Sequence, residues 1–198
     1  MGTRGTYGFR KNGEDKLTYN HYDSYPSYLG VKVLEFANSC TIQELNDIYD
    51  RLVLVDEDSE PTPEQIEECK KYADTGVSTG SLKDWYCLLR NAQGELMAYK
   101  EGLKYMIDNG GFIKDSLFCE YGYIINLDTC MLEFWAGYQH VPQEGNRYGE
   151  TPDDGYYPCK LLMEIPLAEL GYMDADDVAA DMKRTSNEDY EKWKASQK

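Results

Sequence analysis

The fold begins with the stretch TYGFRKNGEDKLTYN at residues 6–20. Two runs rich in aromatic and β-branched residues, Thr6–Arg10 and Lys16–Asn20, flank the dipeptide Asn12-Gly13. Asparagine and glycine both tolerate the positive φ angles that a tight turn between two strands requires. The stretch therefore predicts an antiparallel β-hairpin at the start of the chain.

A second hairpin is predicted near the other end of the chain. The runs YGYIINLD (121–128) and MLEFWAGY (131–138) are separated by a short turn. Leu132, Phe134 and Ala136 alternate with other residues, as expected for a strand that buries one face. The later run CKLLMEIPL (159–167) predicts a last strand.

The residues between the hairpins carry helix-start patterns. Thr41 with Glu44 forms a capping-box pattern, and Thr62 precedes a proline at the first helical position. The segment at residues 95–111 predicts a helix in two pieces that are separated at Gly102. From about Asp174 the chain predicts an acidic amphipathic helix, whose final piece is capped by Ser186.

Strands, helices, strands and a helix follow one another along 198 residues. This order predicts an α+β fold, in which the N-terminal and C-terminal hairpins form one antiparallel sheet with several helices packed on it. We assign residues 1–172 to a single α+β domain and residues 173–198 to an acidic helical C-terminal extension.

The composition excludes several classes of protein. A formal net charge of −16 without a basic stripe argues against direct binding of nucleic acid, which needs cations to neutralise phosphates. Six cysteines without a CxxC pair predict reduced thiols and a cytoplasmic location. No apolar run approaches the roughly 20 residues that span a bilayer, and no pattern for a metal ion or cofactor is present.

The polar loop NHYDSYP at residues 20–26 is the first candidate site. His21 and Asp23 are two residues apart, so an extended segment would place them on one side, where Asp23 orients an imidazole base. The alternative is structural, because Asp23 also suits a side-chain turn before Ser24. If the protein is an enzyme, His21 and Asp23 are its catalytic residues.

Other residues complete this candidate site as a place for a ligand. An arginine suits an anion, and tyrosine rings suit stacking against a planar group. Glu120 lies among aromatic residues, so it is either paired with Arg4 or Arg90 or has a raised pKa. The predicted ligand-binding residues are Thr3, Arg4, Tyr22, Asp23, Tyr25 and Glu120.

A second candidate region is the acidic segment at residues 44–74, with eleven carboxylates and three bases. Such a run suits docking of a basic protein, and it equally suits a solvated helical face.

Four blocks of the sequence, MGTRGTYGFRKNG, YNHYDSYPSYLG, DWYCLLRNAQG and SLFCEYGYIINLD, together resemble a group of uncharacterised proteins from bacteria and their phages. Proteins of this group open with MGTR and carry an aspartate-aromatic loop after the first hairpin. The resemblance implies a small, phage-borne cytosolic protein and implies no reaction. It places Thr3, Arg4, Asp23, Tyr25, Pro26 and Gly30 in a shared site.

These observations favour a small acidic binding protein that sequesters a nucleotide-like ligand or inhibits a host factor, rather than an enzyme. The first alternative is a hydrolase that uses the dyad of His21 and Asp23. The second is an acidic module that binds a basic host protein through residues 44–74. The sequence leaves the oligomeric state open.

Overall fold

The computed structural model of the chain describes residues 2–197. The first hairpin consists of β1 (Gly5–Lys11) and β2 (Glu14–Asn20), which pair antiparallel as predicted. Asn12 and Gly13 have φ angles of 54° and 77°. The carboxylate of Asp128 accepts hydrogen bonds from both of their N–H groups, at 2.6 and 2.9 Å. The turn is therefore fixed by a residue from the distant second hairpin.

The chain then enters the helical half of the domain. One turn of π-helix at Pro26–Gly30 runs directly into α1 (Val31–Asn38). The capping box predicted at Thr41 is confirmed at the start of α2 (Ile42–Arg51). A strand of three residues, β3 (Val53–Val55), follows α2.

The middle of the chain is made of short elements: α3 (Pro63–Cys69), α4 (Trp85–Leu88), α5 (Met97–Lys100) and β4 (Tyr105–Ile107). The prediction of a helical piece beyond Gly102 is wrong, because that segment forms β4. All three residues of β4 are buried, and they pair in parallel with β3. This pairing outweighs the local preference for helix.

The second hairpin consists of β5 (Tyr121–Asn126) and β6 (Met131–Ala136), and β7 (Lys160–Pro166) pairs with β6. The five strands lie in the order β2-β1-β5-β6-β7. The predicted α+β fold with a sheet from both hairpins is confirmed. The hairpins meet where β1 and β5 run parallel to each other.

The sheet buries side chains on both faces. Tyr7, Phe9, Tyr123 and Phe134 belong to the main core, which also contains residues of the helices. The opposite face carries a smaller core that includes Trp135, together with Leu17, Ile113, Cys119, Ile124 and Cys159. Alternation along each strand produces these two cores.

The smaller core adjoins a buried ion network. Glu133 is 1% exposed, and its carboxylate accepts two hydrogen bonds from Arg147, at 2.8 and 2.6 Å. Burial alone would raise the pKa of Glu133, but the hydrogen bonds from Arg147 and Asn126 lower it below its usual value. The pair fastens the loop that contains Arg147 onto the sheet.

The last element is a single helix, α6 (Ala175–Ser196), whose N-cap is Asp174. Ser186 lies inside this helix, so the prediction of a separately capped final piece is wrong. Ala179 and Met182 are its buried residues, and α6 contacts the turn Pro26–Gly30 and α1. Within residues 2–197, no helix has the length and apolar content needed to cross a membrane.

Candidate functional site

The loop after β2 is held by a small hydrogen-bond network. Ser24 is fully buried, and its hydroxyl oxygen accepts a hydrogen bond of 2.7 Å from the side-chain amide of Asn20. The N–H of Ser24 donates to the carbonyl of Thr3, and its carbonyl accepts from the hydroxyl of Tyr123. Thr3 therefore contributes its main chain to the loop, and the loop has one defined conformation.

His21 follows this network and faces aromatic neighbours. Its Nδ1 lies 2.7 Å from the hydroxyl of Tyr19, and its ring centroid lies 4.2 Å from that of Tyr22. The N–H of His21 donates to Oε1 of Gln93 at 3.1 Å. Nδ1 of His21 is thus bonded to Tyr19. The sequence had predicted that Asp23 would orient this ring.

Asp23 and Tyr25 form a separate pair. Asp23 has a φ of 54°, in the left-handed region, which turns the chain toward the π-helix. A hydrogen bond with Asp23 raises the pKa of Tyr25. Tyr25 is 37% exposed and lies edge-on to Tyr28. Asp23 and Tyr25 form no hydrogen bond with His21 in the described part of the chain.

Arg4 and Glu120 meet at the N-terminal end of β5. The carboxylate of Glu120 accepts a hydrogen bond of 3.3 Å from the main-chain N–H of Arg4, and the N–H of Glu120 donates to the carbonyl of Arg4. The exposed guanidinium of Arg4 lies 5.6 Å from the centre of the Phe118 ring. The contact uses only the main chain of Arg4. Within residues 2–197 no ion pair of the kind that the sequence had predicted joins Glu120 to the guanidinium of Arg4 or Arg90, so the positive charge of Arg4 is free.

Arg90, which the sequence suggested only as a partner for Glu120, is a further residue of this site. Its guanidinium lies 5.2 Å from the ring centre of Tyr22 and 5.8 Å from that of Tyr86. It donates to Gln93 at 2.9 Å, and the same oxygen of Gln93 accepts the N–H of His21. We refer to the following residues as the arginine surface: Arg4, Tyr19, His21, Tyr22, Tyr86 and Arg90.

The arginine surface is locally positive although the protein is strongly negative. Burial lowers the pKa of His21, and the charges of Arg90 and Arg4 lower it further. Among residues 2–197, neither arginine has a carboxylate within ion-pair distance, whereas Arg10 and Arg147 both have one. Two unpaired guanidinium groups therefore bracket a histidine that resists protonation.

The acidic segment has a different character. Several of its carboxylates pair with lysines, among them Glu60 with Lys83 at 2.6 Å and Glu68 with Lys104 at 2.8 Å. Glu44 is engaged in the capping box of α2. Part of the charge at residues 44–74 is thus neutralised within the protein, which weakens the case for a docking surface there.

The fold and site define an α+β protein with a cationic, aromatic surface beside its first hairpin. The chain matches no protein-family model, no curated protein and no solved structure. The resemblance to the MGTR-opening group therefore stays a prediction.

Proposed function

We propose that the protein binds a planar, anionic, nucleotide-like ligand on the arginine surface and holds it without converting it. One observation carries this proposal: Arg4 and Arg90 lie against aromatic rings without a carboxylate partner, in a protein with a net charge of −16. An anion bound there would take the place of the carboxylate partner that these guanidinium groups lack.

The chemistry of the side chains suits both parts of such a ligand. A guanidinium group donates two parallel hydrogen bonds to a phosphate, in a geometry that lysine does not match. The ring of Tyr22 is 52% exposed and offers a surface for a base. Stacking of a base on an aromatic ring contributes roughly 1–3 kcal/mol. Phosphate and base are thus both recognised.

The environment of His21 supports binding rather than turnover. A hydrolase that uses a histidine base needs its second ring nitrogen oriented by an acceptor such as a carboxylate. Here Nδ1 of His21 lies 2.7 Å from the hydroxyl of Tyr19, and Asp23 makes no hydrogen bond with His21 within residues 2–197. The hydrolase therefore remains the alternative hypothesis, tested by the fate of the ligand.

The biological role follows from binding without reaction. We propose that the protein lowers the free concentration of its ligand in the cytoplasm. If the resemblance to phage proteins holds, that cytoplasm is the host's, and the ligand is a host molecule.

The proposal is tested by titration calorimetry with ATP, cyclic AMP and NAD, followed by analysis of each bound compound. We expect at least one of them to bind and to be recovered unchanged. Arg4→Ala and Arg90→Ala should each weaken binding about tenfold or more, because each removes a charged hydrogen-bond donor. The control is Arg184→Ala, which removes an exposed arginine of α6.

Each other outcome has a defined meaning. Conversion of the ligand that stops in His21→Ala would establish the hydrolase. Equal losses in Arg184→Ala and Arg90→Ala would show a general charge effect and remove the assigned site. Binding of none of the three compounds would refute the nucleotide proposal.

A further inference from the structure

A groove of about 540 Å³ lies where the C-terminal half of α6 crosses the ends of β5, β6 and β7. Its walls come from the start of β5, from the residues that follow β6, and from α6. Ligand pockets for small molecules have volumes of about 300–1,000 Å³. Five of the side chains that line it carry rings: Tyr121, Tyr138, His140, Tyr190 and Trp193.

The rings are arranged for stacking. His140 and Trp193 lie parallel, with centroids 3.7 Å apart and an interplanar angle of 14°. Tyr190 lies 5.6 Å from Trp193, and Tyr138 and Tyr190 are 44% and 45% exposed. Tyr138 also has a φ of 56°, which is costly for a bulky residue. Backbone strain of this kind is often found at binding sites.

Two of the three charged side chains that line the groove neutralise each other, and the third, Lys192, is exposed to solvent, where its charge is screened. Asp189 of α6 accepts a hydrogen bond of 2.5 Å from Lys160 of β7. It also accepts a weaker one, of 3.4 Å, from the side chain of Gln139, which is 5% exposed. These bonds fasten α6 across the sheet. The ion pair closes one side of the groove without presenting an unpaired charge to a ligand.

We propose that this groove is a second binding site, for an uncharged planar ring compound. Stacked rings recognise the flat faces of such a compound, and the neutral ion pair attracts neither a cation nor an anion. Asn187 lines the groove, and its side chain makes no hydrogen bond within residues 2–197, so its amide is available to a polar atom of the ring.

The two sites differ in the ligands that they select. The arginine surface presents unpaired positive charge, whereas the groove presents aromatic area and a polar amide. The groove proposal therefore stands independently of the proposed function, and either one can fail alone.

Indole is a suitable probe, with tryptamine and indole-3-acetate as its cationic and anionic analogues. The measurement is an NMR titration of the indole N–H signals of the three tryptophans. Trp85 and Trp135 are 1% and 2% exposed, so their signals serve as internal references. The signal of Trp193 is identified by its loss in Trp193→Phe.

We expect indole to shift the Trp193 signal in a saturable way while the other two signals stay in place. The charged analogues should bind several-fold more weakly. Tyr138→Ala should weaken the binding of indole about tenfold or more, since it removes one stacking wall without altering α6. Tyr172→Ala is the matched control, because Tyr172 is 92% exposed and lies outside the groove.

Three results would overturn the proposal. The first is a Trp193 shift that grows linearly with indole and never saturates. The second is equal or tighter binding of a charged analogue. The third is unchanged affinity in Tyr138→Ala when the circular dichroism and melting temperature of that variant match those of the parent protein.

Discussion

The arginine surface and the groove beneath α6 are both aromatic, and they lie on either side of one residue. Glu120 bonds to the main chain of Arg4 on one side; on the other side, burial and then the charge of Glu120 raise the pKa of Tyr138. The difference between the regions lies in charge pairing. The arginines lack carboxylate partners, whereas Lys160 in the groove is paired with Asp189. We therefore expect similar aromatic area to bind an anion in one place and a neutral ring in the other.

The largest expected effect concerns the packing of α6, which forms one wall of the groove and none of the arginine surface. Met182 is fully buried, so Met182→Ala should cost about 2–5 kcal/mol of the free energy of unfolding. In a domain of this size that lowers Tm by roughly 4–20 °C. Calorimetric melting measures the loss, with Lys183→Ala as the exposed neighbour for comparison.

The same variant should affect ligand binding differently at the two regions. Below its melting temperature, Met182→Ala should weaken the binding of indole and leave the binding of a nucleotide unchanged. Equal loss of both would mean that the two sites are coupled through the core.

The second effect concerns the loop beneath the arginine surface. Ser24→Ala removes the hydroxyl that accepts from Asn20 in a fully buried position. We expect a cost of about 1–3 kcal/mol in a urea unfolding experiment, because the amide of Asn20 loses a partner. Nucleotide binding should weaken and indole binding should not. Ser27→Ala, at an exposed position of the same segment, serves as the control.

A third comparison uses salt. Raising the ionic strength from about 0.05 M to about 0.5 M shortens the distance over which exposed charges interact. Binding of the anionic ligand should therefore weaken several-fold, while binding of indole stays constant or strengthens slightly. Calorimetry at the two salt concentrations makes this measurement. Equal salt dependence at both sites would contradict the assignment of charge to only one of them.

The smallest effect is a titration shift. The charge of Arg90 helps to keep the pKa of His21 below its usual value. Arg90→Ala should therefore raise that pKa, and a bound anion should raise it in the parent protein. Carbon-13 NMR of the imidazole group of His21 measures both changes. A pKa that stays constant in Arg90→Ala would remove the electrostatic argument.

The lowered pKa of His21 also makes the stability of the protein depend on pH. Below a pH of about 6.5, the unfolded chain takes up a proton that folded His21 resists, so stability falls as the pH falls. Arg90→Ala should make this loss of stability at low pH smaller. Urea unfolding at pH 5 and pH 7 compares the two proteins.

Much of the fold follows from local patterns. The turn at Asn12-Gly13, the capping box at Thr41 and the alternation in β6 each depend on neighbouring residues, and each is present in the structure. The segment after Gly102 does not follow its local pattern, because pairing with β3 decides that it becomes a strand. Ser186 likewise lies within a continuous helix.

The sequence by itself determined the α+β class, the two hairpins and the concentration of polar and aromatic residues near His21. Only the tertiary structure decided which of these residues meet. It brings Arg90 to Tyr22, bonds His21 to Tyr19, and lays α6 across the sheet to form a groove. Local patterns arise from backbone geometry within a few residues. Sites arise from contacts between distant segments, which burial of a shared core selects.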